Sequence, residues 1–366
     1  MGEGFGLGLL GCGNRTRALL NALRWDGFYQ VGAAYDLNPA AVKSLTEFYG
    51  GTPCATLTEL KEAKNVDAFL ISLSPLDHAS ALREMIPLGK PIFVEKPVAF
   101  TGKETRELKD LADRYHVPVQ VGFMRRYLPL SLEMLSYINS NPTGRIFSTD
   151  CEWVHHGAVA MHYNAYHRPD NFRTKVSQIP FHCCHMLDVM LLMNGPVKSV
   201  TSHYRKEINL PYPSPDDVLS TLEFSNGSFG RFHYSSVVYY NNANYRFNCE
   251  NYSIVLDLLE TGLKIYRKPR FRTSEVGPDP EHTDEKFESF YESMCKPKVI
   301  HDNIDHLLIA NENIMYDFVK MVRDGVPPKA DLAAAVRVQG LAEAVEMSGK
   351  RKRTILLDDD GVPLED

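Results

Sequence analysis

The sequence predicts two domains: a doubly wound α/β domain with a parallel sheet over residues 1–126, then an α+β domain with an open, mostly antiparallel sheet over residues 127–366. Three observations carry this. Short apolar runs alternate with amphipathic helical patterns through the first third of the chain, the rhythm of right-handed βαβ crossovers. After Arg125 and Arg126 the rhythm changes, and strand-length runs follow one another with turn residues between them. The length, 366 residues at about 150 per domain, fits two cores better than one.

In the first domain Phe5–Leu10 reads as a buried strand, Arg15–Arg24 as a helix and Tyr29–Tyr35 as a second strand. Pro39–Tyr49 is helical, Ala68–Leu73 a strand, His78–Leu88 a helix and Pro91–Val94 a strand. Lys103–His116 is a charged amphipathic helix that leads into the strand Val117–Gly122. Intervening helices make the strands parallel, because a hairpin needs only a short turn.

In the second domain Leu128–Asn139 reads as a linking helix, stopped by Asn141-Pro142-Thr143-Gly144. Strands are predicted at Arg145–Val154, Val197–Arg205, Val218–Phe224, Ser228–Val238, Arg246–Leu256 and Leu263–Arg267. Asn226-Gly227 and Thr261-Gly262 supply hairpin turns. Lys268–Lys298 is rich in Pro and charge and reads as a loop. Helices His306–Asp324 and Asp331–Ser348 follow, separated by Pro327-Pro328.

Composition narrows the function classes. Hydrophobic residues at 44% and charged residues at 23% describe an ordinary globular chain. A formal charge of −6 offers no basic field for nucleic acid, and the short run Lys350–Arg353 reads as solvated surface. No apolar run reaches the ~18 residues of a membrane span, and Met1–Gly4 does not resemble a signal peptide. Seven cysteines without a Cys-x-x-Cys pair suggest a reducing, cytoplasmic setting.

Two motifs carry chemistry. Gly11-Cys12-Gly13-Asn14-Arg15-Thr16 follows a strand and opens a helix. Its glycines permit a tight turn and close approach of a pyrophosphate to the helix N-terminus, with Thr16 at the third glycine position. Asp36 ends the next strand, 23 residues past Gly13, where a carboxylate accepts ribose hydroxyls and repels a 2′-phosphate. This predicts NAD rather than NADP. Glu95-Lys96-Pro97 stands directly after the strand Pro91–Val94, where ligands of such sheets bind.

Glu95-Lys96-Pro97 in this position resembles the glucose–fructose oxidoreductase/inositol dehydrogenase/rhizopine catabolism (Gfo/Idh/MocA) family. Ser74-Pro75, Val121–Tyr127, His185-Met186-Leu187-Asp188 and Asp331–Ser348 are similar to further stretches of that family, so the resemblance spans nearly the whole chain. It implies an N-terminal Rossmann domain, a C-terminal α/β domain and oxidation or reduction of secondary hydroxyls of sugars, glycosides or cyclitols with NAD. Carried over, Lys96 and His185 are the catalytic pair. Gly11, Gly13, Asn14, Arg15, Asp36, Ser74, Pro75, Glu95 and Lys96 form the cofactor set, and the Lys96–Pro97 bond is expected to be cis.

One position departs from the family: Phe181 stands where an aspartate is common. His182, three residues before His185, can supplement it, and either histidine can act as base; Asp188, one turn beyond, ranks His185 first. A metal bound by His182, Cys183, Cys184 and His185 is not expected, since adjacent cysteines diverge. Six of the thirteen histidines fall between His155 and His185, among aromatic residues and arginine. Arg125, Trp153, Tyr166, His167 and Arg168 are therefore the expected substrate wall, because rings stack on sugars while His and Arg bond hydroxyls.

The function so read is an NAD-dependent dehydrogenase of a ring hydroxyl, narrowly a glycoside 3-dehydrogenase. An NAD-dependent glycoside hydrolase working by transient oxidation and a non-catalytic nucleotide-binding protein are the alternatives. A homo-oligomer, a dimer or higher even-numbered form, is expected through the C-terminal sheet, with Val218, Ser220, Leu222, Phe224 and Val237–Tyr240 as its apolar face.

Overall fold

The computed structural model of the protein describes residues 4–22, 26–157, 175–206, 213–258, 262–267, 298–301 and 306–364. Six parallel strands form the first sheet: β1 (Phe5–Leu10), β2 (Tyr29–Tyr35), β3 (Thr52–Pro53), β4 (Ala68–Ile71), β5 (Ile92–Val94) and β6 (Val119–Val121). Their order is β3-β2-β1-β4-β5-β6. The order reverses between β1 and β4, which places a ligand crevice beyond the carboxyl ends of those two strands. Helices α1 (Asn14–Ala22), α2 (Pro39–Tyr49), α3 (Leu57–Glu62), α4 (His78–Met85) and α5 (Gly102–Arg114) make the crossovers. Their starts are written locally. The Asn38 side chain accepts from Ala40 N with Pro39 in the first turn of α2, and Thr101 accepts from Glu104 N at α5. The sequence reading has no counterpart for β3 and α3, because a two-residue strand and a six-residue helix leave no periodicity to detect.

The turn Met124–Tyr127 and α6 (Pro129–Ser140) lead to a nine-stranded sheet, which also receives α7 (Cys184–Asn194) against it. The strands are β7 (Ile146–Val154), β8 (Val197–Arg205), β9 (Asp217–Phe224), β10 (Phe229–Ser235), β11 (Asn242–Cys249), β12 (Tyr252–Asp257), β13 (Gly262–Arg267), β14 (Lys298–His301) and β15 (Ile355–Leu356). Neighbours run antiparallel except β7 and β10. The predicted single strand Arg246–Leu256 is a hairpin. β11 and β12 pair from Asn248–Ser253 outwards, and the chain reverses at Glu250-Asn251. Thr261 and most of Lys268–Lys298 lie outside the described residues.

Helices α8 (His306–Asp324) and α9 (Leu332–Arg351) return to the first sheet. Phe318 of α8 packs edge-on against Phe5 and Phe93, with ring centroids 6.2 and 5.8 Å away. α9 packs on α5, on α7 and on β8, so one helix touches both sheets. The alternation Val218, Ser220, Leu222, Phe224 is real, but these four side chains are buried within the chain's own core. Phe224 and Met190 of α7 both close on Gly230. They therefore do not supply an intersubunit face. The opposite face of the sheet is mixed: Arg231 pairs with Asp150 at 2.8 Å and His233 lies between Glu152 and Asp217, 3.2 Å from each, while Leu219 and Phe229 are exposed beside them. Tyr239 and Tyr240 are exposed.

Candidate active site

After β1 the chain turns at Gly11 with φ +100°, and a Cβ there would lie 2.2 Å from the Ser72 carbonyl oxygen. Only glycine lets the loops after β1 and β4 meet so closely. At Gly13 a Cβ would have nothing within 4 Å, so this side of the turn is open to the crevice at the start of α1. Thr16, at the third glycine position, is buried and donates its hydroxyl to Gly11 O at 2.8 Å. Asp36 accepts Cys12 N at 2.7 Å and Asn38 N at 2.8 Å, which pins the turn to the end of β2. Carboxylate oxygens have further lone pairs for ribose hydroxyls. An open glycine turn, a helix N-terminus with exposed Asn14 and a carboxylate at the second strand fit a dinucleotide.

Beside this cradle is a cleft of about 370 Å³ lined by both domains; Arg15, Pro75, Lys96, Phe181, His182 and His185 all face it. Arg15 donates to Glu95 Oε1 at 2.6 Å and to Asn311 Oδ1 at 2.7 Å, tying the nucleotide turn to Glu-Lys-Pro and to α8. Ser74 shapes the turn before α4 by accepting Asp77 N at 2.9 Å. The Lys96–Pro97 peptide is cis, as expected. Lys96 Nζ donates to Phe181 O at 3.0 Å and lies 4.2 Å from the centre of the Phe181 ring. The residue at the usual acid position thus holds the lysine by a carbonyl and a ring face.

Phe181 and His182 belong to a π-helical turn, Ile179–Cys183, that runs directly into α7. Such a turn recurs at functional sites because it re-aims side chains within a helix. His185 Nδ1 is buried and has no hydrogen-bond partner among the described residues. Burial, then repulsion from Lys96, Arg125, His182 and Arg15, holds the His185 ring well below the ordinary histidine value. It is therefore a neutral acceptor near pH 7. His182 stacks on Phe181 at 4.4 Å and lies 5.6 Å from Trp153.

Asp188 does not serve His185. It receives two bonds from Arg126, at 2.7 Å from Nε and 2.5 Å from Nη2, in a buried pair. Its spacing from His185 put it a turn away; the fold gave it to the arginine. Cys183 and Cys184 are buried thiols, and burial raises both above the ordinary cysteine value. Among the described residues, no three or more His, Cys, Asp or Glu side chains converge as a metal site. Arg125 and Trp153 pack together, the guanidinium 5.2 Å from the indole centre, next to the cleft residue His182 and not among the residues that line the cleft itself. Tyr166, His167 and Arg168 lie outside the described residues.

Comparison with known families settles the class. A family described as an oxidoreductase family with an NAD-binding Rossmann fold matches residues 5–123, and its C-terminal α/β domain matches residues 156–357. The chain belongs to the Gfo/Idh/MocA oxidoreductase family. Its Rossmann domain is therefore an NAD-binding one. Among curated relatives, the rhizopine catabolism protein MocA of Rhizobium meliloti is 29% identical over 41% of this chain and 47% of its own length. The glucose-6-phosphate 3-dehydrogenase of Bacillus subtilis is 26% identical over 42% of this chain and 43% of its own. The matched stretch thus spans under half the length of these relatives. In fold, the WlbA dehydrogenase of Bordetella pertussis, solved with NADH and UDP-GlcNAcA, superposes with a TM-score of 0.78 at 16% identity. That match covers 99% of this chain and 98% of that one.

Within this family member, sequence reasoning left His78 out of the site. It is buried against the cleft, its Nδ1 donating to Pro97 O at 2.8 Å and its Nε2 accepting Leu73 N at 3.3 Å. Burial holds its ring below the ordinary histidine value. It staples the loop after β4 to the cis-proline loop. The available signal was its place just after the Ser74-Pro75 turn. Ser72, Leu73 and Met124 also line the cleft and carried no chemical signal. No helix among the described residues is long and apolar enough to cross a membrane.

Proposed function

We propose that the protein is an NAD-dependent dehydrogenase of a secondary ring hydroxyl on a sugar, glycoside or cyclitol, with carbon 3 of a glycoside as the narrower reading. The observation that carries it is the convergence of Lys96 and a neutral His185 in one cleft beside the glycine turn. Gly11, Gly13 and Asp36 would hold NAD, which when bound supplies the hydride acceptor. Lys96 donates a hydrogen bond to the reacting hydroxyl oxygen and stabilises the charge that develops there. His185, neutral and lining the cleft, takes the hydroxyl proton. Glu95, buried and paired with Arg15, fixes the backbone from which Lys96 projects. The name of the glucose-6-phosphate 3-dehydrogenase relative supports carbon 3.

The test is a panel of sugars, glycosides and cyclitols scored for NADH absorbance and for product mass. A product lighter by two hydrogens, formed with stoichiometric NADH, is expected. Release of an aglycone without net oxidation would replace this reading by the glycosidase one. Cofactor choice gives a separate expected result. With Asp36 assigned to the adenosine ribose, NAD should bind at least about tenfold more tightly than NADP, and Asp36→Ala should erode the ratio. Calorimetric titration showing NADP bound as tightly as NAD by the unaltered protein would contradict the role of Asp36.

A further inference from the structure

The cations around the cleft differ in what neutralises them. Arg15 is paired with Glu95, and Arg126 with Asp188. Lys96 rests on the carbonyl and ring of Phe181. Arg125 is different. It is half-buried beside Trp153, which adjoins the cleft residue His182, and among the described residues its side chain has no carboxylate partner and no hydrogen-bond acceptor. It stands on a turn fixed on both sides of it: Arg126 is clamped to Asp188, and Tyr127 Oη donates to Asp317 Oδ2 at 2.7 Å. Among the described residues, the one acid that lines the cleft, Glu95, is already taken by Arg15.

A guanidinium cannot shed its charge, and partly removing it from water without an anion is unfavourable. A tryptophan face compensates only in part. What is missing is an acceptor with two oxygens, the shape that the planar fork of arginine binds best. We propose that the substrate ring carries an anionic group, a carboxylate or a phosphate, which docks on Arg125 while a ring hydroxyl reaches Lys96 and His185. Trp153 and His182 then flank the ring between the two ends. This assignment rests on the dehydrogenase reading above and narrows its substrate class to acidic sugars. The repulsion that Lys96, Arg125, His182 and Arg15 exert on a protonated His185 is consistent with a cleft short of negative charge.

The experiment measures kcat/KM of the full chain with NAD on matched neutral and acidic sugars: hexoses, methyl glycosides and cyclitols against their uronate and 6-phosphate or monophosphate counterparts. An acidic member should exceed its neutral partner by about tenfold or more, the effect of one charge-assisted bond. The uronate and phosphate arms separate the two sources of charge. Raising salt should lower the advantage in the unaltered protein, and Arg125→Gln should bring it within about threefold. The salt series stands even if the variant folds poorly. Neutral sugars used as well as acidic ones, or an advantage that Arg125→Gln leaves intact, overturn this inference and leave the dehydrogenase reading standing. NAD binding without reduction by any sugar of the panel overturns both.

Discussion

Lys96→Met should lower kcat by about 10² to 10⁴ with saturating substrate, while NAD affinity changes little. The methionine keeps the stem against the Phe181 ring and removes the ammonium, so the packing seen 4.2 Å from that ring is largely retained. A binding defect would appear mainly in KM, which is why kcat is the quantity to compare. His185→Asn should cost a similar factor. His182→Asn should cost less, because His182 is stacked between Phe181 and Trp153 while the neutral His185 ring lines the cleft beside Lys96. The reverse order would exchange their roles. The pH profile adds a sign. A base works when deprotonated, and burial with its cationic neighbours depresses His185, so kcat/KM for oxidation should hold as pH falls past about 6.5, the ordinary histidine value. The acid limb appears only below it. Retention of more than about half the unaltered kcat by Lys96→Met, against the loss expected of an acid–base group, would make this lysine structural.

What the sequence disclosed and what it withheld follow a physical division. Features set by neighbours along the chain were readable: the Gly11 turn between a strand and a helix, Asp36 at the end of β2, and the lysine after β5. Each needs only local backbone geometry and the rule that ligands sit beyond parallel strand ends. The hairpin inside Arg246–Leu256 was not readable, because Cys249-Glu250-Asn251 lacks a glycine and both arms continue the same alternation. The face of β9 was misassigned for a related reason. Alternation separates two faces of a strand but does not say whether a helix or a second subunit covers the apolar one. Asp188 failed most instructively. Its nearness to His185 in sequence is fixed by the helix, whereas its partner Arg126 is 62 residues away and reaches it only through the fold. Phe181 likewise looked like a lost acid, and only the structure shows its carbonyl and ring holding Lys96.

Asp188→Ala should be among the most destabilising single changes in the chain, costing about 3–5 kcal/mol of folding stability. The Asp188 side chain is 0% exposed and that of Arg126 only 8%, so removal of the carboxylate leaves a guanidinium buried without its anion. Arg126 also donates to Lys329 O, and its neighbour Tyr127 to Asp317, which extends the loss to the junction of α7, α8 and the linking turn. Urea unfolding should show a lower midpoint at unchanged m, the mark of lost stability rather than a changed denatured state. Asp188→Asn keeps the shape and one acceptor oxygen, and should cost less. Changing both partners, Arg126→Met with Asp188→Leu, should recover much of the loss, since two apolar groups leave no stranded charge. This series also separates the two roles open to Asp188. If it oriented His185, Asp188→Asn would depress kcat and leave the midpoint near that of the unaltered protein. The buried pair requires the opposite: a lower midpoint in Asp188→Asn, with kcat of the folded fraction largely preserved.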